Sequence, residues 1–296
     1  MGNFVFNKIS KEFPVLTWWS GGLASAITCY LCIQWFGIEN VRIIFIDTHN
    51  EDDDTYRFLK DCENWYGKKI ETISSDVFEK IEDVWYKYLS LNTATGAICS
   101  THLKLRVREK FQKENNFSVQ AFGFDSSEIK RAVSLKLNHP DASPIFPLII
   151  EMLYKKQLTK YLPSGLFKIE IPRAYKWGLQ NNNCLKKTGC VQGGIGYWQW
   201  MFKNKPEIFD YMAFIEHDLT NIKGQPVTML KDQSKNGGLV FLKPHPNYPQ
   251  FKDISMMKGR EPQPLFECNG FCGSNDLIKR KESENDINYA TISIQV

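Results

Sequence analysis

The chain has 296 residues, a net charge of +4 and the composition of a globular protein, with 14% aromatic and 24% charged residues. This length suits one large domain or two smaller ones. No run of about 18 uncharged apolar residues is long enough to span a membrane, and residues 1–13 do not resemble a secretory leader. We therefore expect a cytoplasmic protein without a membrane partner. Its eight cysteines are then metal ligands, catalytic thiols or core residues rather than disulfides.

A strand, a glycine turn and a helix near the start of the chain form its most informative stretch. Val15–Trp19 is an uncharged β-branched and aromatic run, typical of a buried strand. It is followed by Ser20-Gly21-Gly22 and then by an uncharged helical stretch with Ser25 in its first turn. This arrangement directs backbone N–H groups and the positive end of a helix dipole at an anion. The alternative is an ordinary tight turn between a strand and a helix.

Strands and helices then alternate along the chain. Further strands are predicted over Val41–Asp47, Lys69–Ser74, Phe117–Phe124 and Ser143–Ile150, with intervening helices that include Asp52–Trp65 and Phe78–Leu89. Uncharged strands that alternate with helices predict an α/β fold, with a largely parallel sheet covered by helices on both faces. Ligands of such sheets bind beyond the carboxyl ends of the strands. Ser20 and Asp47 both lie at such ends, so we expect them at one site.

The spacing S-G-G-x-x-S-A after a hydrophobic strand resembles the PP-loop of the adenine-nucleotide α-hydrolases. This superfamily includes ATP pyrophosphatases, tRNA thiolation enzymes and sulfonucleotide reductases. The resemblance implies that Ser20, Gly21, Gly22 and Ser25 hold the phosphates of ATP or of an adenylylated sulfate. Leu23-Ala24 stands where the family has Lys-Asp, so the loop itself lacks a cation. The chain has no Walker P-loop, because G-x-x-x-x-G-K-[ST] is absent.

Three later segments resemble cleft motifs of the sulfonucleotide reductases. Asp47-Thr48, with Glu51 and Thr55 behind it, resembles D-T-G-x-E-x-x-x-T, although His49 replaces the glycine. Cys99 precedes a basic amphipathic stretch and resembles the Cys-x-x-x-[RK] segment. Residues 123–131 resemble Gly-x-x-x-x-Glu-x-x-Arg through Glu128 and Arg131. The resemblance implies that Asp47 and Thr48 line the nucleotide cleft and that Cys99, Glu128 and Arg131 have catalytic roles.

Each of these segments also has a purely structural interpretation. The acidic residues 52–54 are typical of a helix N-terminus, where they complement the dipole. The sequence around Cys99 is equally typical of an ordinary half-buried thiol. Glu128 and Arg131 are three residues apart, so they share a helix face, and a surface ion pair there would contribute only a few tenths of a kcal/mol.

A second segment rich in functional signals runs from residue 180 to residue 198. Three asparagines and four glycines surround Cys184 and Cys190, a composition typical of loops around metal–thiolate sites. A second pair, Cys268 and Cys272, follows near the end. The four cysteines predict a zinc or [4Fe–4S] site. Alternatively, Cys268 or Cys272 is a redox thiol. The remaining cysteines Cys29, Cys32 and Cys62 lie on apolar helix faces, so we expect them in the core.

The Asn-rich cysteine segment with Gly-Gly-x-Gly-Tyr-Trp resembles phage-encoded and bacterial members of the phosphoadenosine phosphosulfate (PAPS) reductase-like family. This resemblance implies a PP-loop α/β domain over residues 1–150 and a cysteine-bearing region over 151–296, packed on the nucleotide cleft. It implies an enzyme acting on ATP or PAPS, either a reductase or an ATP pyrophosphatase and sulfurtransferase. Expected partners are the nucleotide, a dithiol reductant or sulfur donor, a nucleic acid acceptor and a second copy in a homodimer.

A hypothesis from another class is also open. A metal-stabilised binding protein that kept the fold and lost turnover would sequester a nucleotide or bind a nucleic acid. The uncharged pair Leu23-Ala24 favours this hypothesis, whereas the intact order of the cleft motifs favours an enzyme.

Overall fold

The computed structural model describes residues 9–93, 96–165, 168–179, 182, 184–234 and 237–262. Within these residues the strands are β1 (Val15–Trp19), β2 (Val41–Ile46), β3 (Glu71–Ile73), β4 (Asn92–Thr93), β5 (Gly96–Ala97), β6 (Val119–Ala121), β7 (Pro144–Ile145), β8 (Leu230–Lys231), β9 (Leu239–Phe241) and β10 (Lys252–Asp253). The helices are α1 (Leu23–Phe36), α2 (Asp53–Tyr66), α3 (Ile81–Tyr88), α4 (Ile98–Ser100), α5 (Arg106–Glu114), α6 (Ile129–Asn138), α7 (Pro147–Ile150), α8 (Arg173–Lys176), α9 (Ile195–Asn204) and α10 (Pro206–Lys223). A π-helical stretch, Thr101–Leu105, joins α4 to α5.

The main sheet of the described residues has five parallel strands in the order β3-β2-β1-β6-β7. All five residues of β1 are buried, because helices cover both faces of this central strand. Trp19 packs with Phe45 and with Phe58 of α2 on one face. Trp18 contacts Phe111 of α5 on the other. The predicted parallel α/β fold with two covered faces is therefore confirmed.

Proline determines where elements end in two places, and at the first of them the structure differs from the prediction. The strand predicted over Ser143–Ile150 ends at Ile145, because Pro147 begins helix α7. Helix α9 ends at Asn204, and Pro206 begins α10. Proline lacks an N–H group, so it is tolerated in the first turn of a helix but ends a preceding element.

A second buried cluster joins α3 and the Cys99–Leu103 stretch to α9, α10 and the small sheet β8–β10. Tyr197 and Trp198 lie inside this cluster and are at most 2% exposed. They are therefore core residues and not a surface platform for stacking a base. No helix among the described residues has both the length and the apolar character needed to cross a membrane.

Candidate nucleotide site

The glycine turn after β1 forms a compact loop held by its two serines. The backbone N–H and the hydroxyl of Ser20 each lie 3.0 Å from the Ser25 hydroxyl, and that hydroxyl donates to the carbonyl of Gly22 at 2.9 Å. Gly22 is the N-cap of α1, and the first turn of α1 carries no acidic residue. The loop thus presents hydroxyl groups and the positive end of a helix, which suits an anion.

Position 21 requires glycine because of its backbone conformation and its close neighbours. Its φ is +83°, and a Cβ atom here would lie 2.7 Å from Cγ2 of Thr55. The Asn182 side-chain amide donates to the carbonyl of Gly21 at 2.8 Å and to the Thr55 hydroxyl at 3.2 Å. The loop is therefore clamped between α2 and the Asn-rich segment, 161 positions further along the chain.

The loop after β6 lies against the start of α1. A Cβ atom on Gly123 would be 2.8 Å from the backbone nitrogen of Ser25, so only glycine permits this approach. β1 and β6 are neighbours in the sheet, and the strand order reverses between them. Such a reversal opens a crevice at the carboxyl ends of the strands, where α/β proteins bind ligands.

A segment from the second half of the chain also reaches this crevice. The N–H of Leu23, the first residue of α1, donates to the hydroxyl of Tyr175 at 3.3 Å. Arg173 forms a 2.8 Å ion pair with Asp52, and its backbone N–H donates to Asp54 at 2.6 Å. Tyr175 is thus anchored through α8 to the start of α2 and stands at the N-terminus of α1.

Asp47 and Thr48 follow β2 at the same edge of the sheet. Asp47 accepts hydrogen bonds from the Tyr56 hydroxyl at 2.9 Å and from the backbone N–H of His49 at 2.8 Å. Burial and the neighbouring charge of Asp47 raise the pKa of Tyr56. Thr48 donates to Glu51 at 3.0 Å. Both predicted cleft residues are therefore buried and held in place by the α2 region.

Glu51 and Lys104 form a buried ion pair that the sequence does not reveal. Their side chains are 0% and 5% exposed, and the Lys104 ammonium lies 3.4 Å from the Glu51 carboxylate. Lys104 belongs to the π-helical stretch Thr101–Leu105, and such irregular turns are frequent at functional sites. The pair connects the end of β2 to the helical segment that carries Cys99.

The structure also separates capping residues from cleft residues. Asp52 is the N-cap of α2 and accepts a hydrogen bond from the N–H of Asp54 at 2.8 Å, as the structural interpretation of the acidic triplet required.

Arg131 and Glu128 form an ion pair after β6, and the guanidinium of Arg131 lies 4.5 Å from the Phe124 ring centroid. Arg131 is only 7% exposed, so this is not a surface pair.

The cysteines fall into two groups. Cys29, Cys32 and Cys62 are fully buried around the central sheet and α1, as expected for core residues, and burial raises the pKa of Cys29 and Cys62 to about 12. Cys99, Cys184 and Cys190 lie in the second buried cluster. Burial is the largest cause of the raised pKa of Cys184, and the negative charge of Glu51 raises this pKa further.

The predicted metal site includes Cys268 and Cys272, which lie outside the described residues. Within the described ranges, no three Cys, His, Asp or Glu side chains are placed to hold a metal ion. Cys184 and Cys190 are both buried, and the N–H of Cys190 donates to Tyr197 at 3.0 Å. The described cysteines alone therefore do not fit a metal or cluster, and a complete site would depend on the second pair.

Sequence reasoning did not single out Lys104, Tyr175 or Asn182 as individual site residues. Asn182 lies in the segment from residue 180 to residue 198, whose composition already indicates function. Their contacts join positions more than 120 residues apart, as in the Asn182–Thr55 hydrogen bond. No local periodicity carries such a signal.

The parallel sheet, the glycine turn and the crevice beside β1 define an α/β domain with a candidate anion site at the carboxyl edge of its sheet. Residues 14–143 match the family described as the phosphoadenosine phosphosulfate reductase domain. The chain is also 32% identical over 111 residues to an uncharacterized protein of Methanocaldococcus jannaschii. That alignment covers 37% of this chain and 22% of the relative, so most of the relative lies outside the match.

Several solved structures are similar to this chain at low sequence identity. A phosphoadenylyl-sulfate reductase from Candida auris, in a phosphate complex, is 16% identical with a TM-score of 0.44, covering 61% of this chain and 91% of that one. An NH3-dependent NAD synthetase from Campylobacter jejuni is 17% identical with a TM-score of 0.37, covering 74% and 89%. A U34-tRNA thiolase from Methanococcus maripaludis, solved with its [4Fe–4S] cluster, is 14% identical with a TM-score of 0.34, covering 72% and 75%.

Proposed function

We propose that this protein is an enzyme that binds an adenine nucleotide at the carboxyl edge of its parallel sheet. The observation that carries this proposal is the loop from Ser20 to Ser25. Its hydroxyl groups cluster at the N-terminus of α1, and the first turn of that helix carries no acidic side chain. The match of residues 14–143 to the PAPS reductase domain family supports a nucleotide as the source of that anion.

In this proposal Ser20, Gly21, Gly22 and Ser25 hold the phosphates. Asp47 and Thr48 form the edge of the cleft, while Glu128 and Arg131 contact polar groups of the nucleotide. Cys99 lies on α4, next to the π-helical stretch that carries Lys104.

The first candidate reaction uses ATP. A nucleophile of the acceptor attacks the α-phosphorus, the bond to the bridging oxygen of the leaving group breaks, and pyrophosphate departs with that electron pair. The protein contributes positioning of the reactants and stabilisation of the developing charge. The burial of Cys99 favours this reaction over one in which Cys99 is the nucleophile, since a nucleophilic thiol needs access to its substrate.

The second candidate reaction is reduction of PAPS, which the match of residues 14–143 to the PAPS reductase domain family favours. A thiolate attacks the sulfur, the S–O bond breaks, and adenosine 3′,5′-bisphosphate leaves with the electron pair. An external dithiol then reduces the enzyme-bound thiosulfonate, releases sulfite and becomes a disulfide. Cys99, Cys268 and Cys272 are the candidate thiols.

One experiment separates the two reactions. The protein is incubated with ATP, and separately with PAPS and a dithiol, while pyrophosphate and sulfite are measured. Pyrophosphate release alone supports the ATP reaction, and sulfite release supports the reductase. Tight nucleotide binding with neither product supports a binding protein that lost turnover and contradicts the proposed enzyme.

A further inference from the structure

A cavity of about 340 Å³ lies between the loop after β3 and the helical stretch from His102 to Glu114. Small-molecule sites in proteins occupy about 300–1,000 Å³ and combine apolar walls with a few polar groups. Ile73, Phe78, Val107 and Phe111 supply apolar and aromatic surface to this cavity. It therefore suits the ring of a small organic molecule.

The cavity adjoins the proposed nucleotide cleft but lies apart from its phosphate loop. The backbone N–H of Asp47 donates to the carbonyl of Ile73 at 2.8 Å, because β2 and β3 are paired up to this point. Ile73 lines the cavity, whereas none of the described residues from Ser20 to Ser25 does. The cavity is therefore a separate space at the same edge of the sheet.

The charged side chains that line the cavity leave one cation uncommitted. Lys110 lies 2.7 Å from the carboxylate of Asp76 and 4.0 Å from that of Glu114, so both acidic residues of the lining face this one lysine. Arg106 is exposed four residues earlier, and within the described ranges it forms no ion pair or hydrogen bond. Its guanidinium is therefore available to an anion in the cavity.

His102 adds unused hydrogen-bonding capacity to the same wall. It precedes Arg106 by four residues, is only 6% exposed and stacks on the ring of Tyr88 with centroids 4.4 Å apart. Its Nδ1 is buried and has no hydrogen-bond partner in the described part of the chain. Burial, followed by the charges of Arg106 and Lys87, lowers the pKa of His102, so the neutral ring keeps one N–H donor. Because buried polar groups are nearly always hydrogen-bonded, an unused imidazole beside a cavity indicates a partner that binds there.

We propose that this cavity binds an organic anion, namely a carboxylate or a phosphate ester carried by an aromatic ring. Arg106 pairs with the anionic group, because a guanidinium matches two oxygens of a carboxylate or a phosphate. His102 donates a hydrogen bond to the same group, and the ligand ring packs on Phe78 and Phe111. The site is independent of the proposed function, because the phosphate loop takes no part in it.

The test is ligand-observed NMR titration of phenyl phosphate, benzoate and the neutral benzyl alcohol against the wild-type chain and variants. Arg106→Gln should weaken binding of the anions at least about tenfold and leave benzyl alcohol unaffected, because only the charge-assisted contact is lost. Arg106→Lys should recover part of the affinity, since it keeps the charge but not the paired N–H groups. His102→Phe keeps a stacked ring and should weaken the anions severalfold.

Two control variants locate the binding. Lys113 is an exposed cation of the same helix α5 that lines a different cavity, so Lys113→Gln should not change the affinity. Gly22→Val alters the phosphate loop and should also leave binding of both anions unchanged. Thermal unfolding checks that each variant is folded.

The two anions distinguish the head groups. Binding of phenyl phosphate alone, lost in Arg106→Gln, supports a phosphate ester as the ligand, and binding of benzoate alone supports a carboxylic acid. The site is refuted if the wild type binds neither anion, if Arg106→Gln binds them as tightly, or if Lys113→Gln weakens them as much. Loss of binding in Gly22→Val but not in Arg106→Gln would also refute it, while supporting an anion at the phosphate loop.

Discussion

Gly21 and Gly22 are adjacent residues with different tasks in the same turn. Gly21 has a φ of +83° and no room for a Cβ atom beside Thr55. Gly22 has a φ of −97° and a ψ of 163°, an extended conformation that other residues adopt. The requirement for glycine at position 21 is therefore structural, whereas at position 22 we propose that glycine gives an anion access to the main chain.

We predict that Gly22→Val abolishes nucleotide binding while the fold survives. A β-branched side chain at the N-cap of α1 would occupy the space in which an anion approaches the backbone. Calorimetry should show a loss of at least tenfold in affinity, and thermal unfolding should change little. Gly238→Val, in a loop with open space around the glycine, is the matched control. Unchanged affinity in a folded Gly22→Val variant would refute the phosphate loop.

We predict that Gly21→Ala lowers the stability of the fold, which Gly22→Val leaves nearly unchanged. The positive φ and the 2.7 Å approach to Thr55 predict a loss of about 1–3 kcal/mol in the free energy of unfolding. Denaturant titration measures this loss. A Gly21→Ala variant as stable as the wild type would show that the turn is not clamped against α2.

The buried Glu51–Lys104 pair allows a double-mutant test at the residue scale. Glu51→Gln or Lys104→Met alone should lower the free energy of unfolding by ~3 kcal/mol, because each leaves a buried charge without its partner. The double variant should cost clearly less than the sum of the two. Strict additivity in denaturant titrations would mean that these two side chains are not coupled.

At the scale of elements, helix α10 is joined to the small sheet by one buried carboxylate. Glu216 is 0% exposed and accepts hydrogen bonds from the backbone N–H of Met229 at 2.8 Å and of Leu242 at 2.7 Å. Burial raises its pKa from 4.5 to about 8 despite these two donors. The side chain therefore holds together α10, the start of β8 and the end of β9, and it titrates near neutral pH.

We predict a decrease in stability as the pH rises from about 5 to about 8. In this window the folded chain keeps the proton on Glu216 while the unfolded chain has lost it, so raising the pH favours unfolding by up to ~1.4 kcal/mol per pH unit. Glu216→Gln should remove this slope and lower stability overall, since its amide NH2 faces a backbone donor. Exposed Glu207 of the same helix is the control, and Glu207→Gln should keep the slope. A slope that persists in Glu216→Gln would assign it to other groups.

At the scale of the whole molecule, the segment that carries Cys184 and Cys190 packs on the carboxyl edge of the main sheet. Asn50 donates to the Thr188 hydroxyl at 2.6 Å, and the N–H of Lys186 donates to the carbonyl of Asn50 at 3.3 Å. Together with the contact between Asn182 and Gly21, these bonds connect the segment that carries Cys184 and Cys190 to the ends of β1 and β2. The segment that carries the two cysteines is therefore in direct contact with the loop Ser20–Ser25 and with the residues that follow β2.

We predict that protein purified without oxygen contains a metal that requires Cys184, Cys190, Cys268 and Cys272. Elemental analysis should find either iron, in a brown protein that absorbs near ~400 nm, or stoichiometric zinc, in a colourless protein. Cys184→Ser should lower the metal content, whereas Cys62→Ser, in the core, should not. Chelation should lower the melting temperature because metal binding is linked to folding. A folded wild-type chain without metal would exclude the site.

The sequence by itself determined the central sheet and the glycine turn. Continuous apolar runs such as Val15–Trp19 predict buried parallel strands, and the spacing of Ser20, Gly21, Gly22 and Ser25 identifies the loop, because both signals are local. It also assigned Cys29, Cys32 and Cys62 to the core from their places on apolar helix faces. Local patterns decide these features since strand burial and helix faces follow a fixed period.

Only the tertiary structure decided which distant residues complete the site. Tyr175 at the start of α1, Asn182 on Gly21 and the Glu51–Lys104 pair all join residues that are far apart in the chain or have no periodic signal. The carboxyl ends of parallel strands bring such residues to one edge, yet which of them meet depends on how the connecting loops pack. That packing is a property of the whole fold, and no local sequence pattern specifies it.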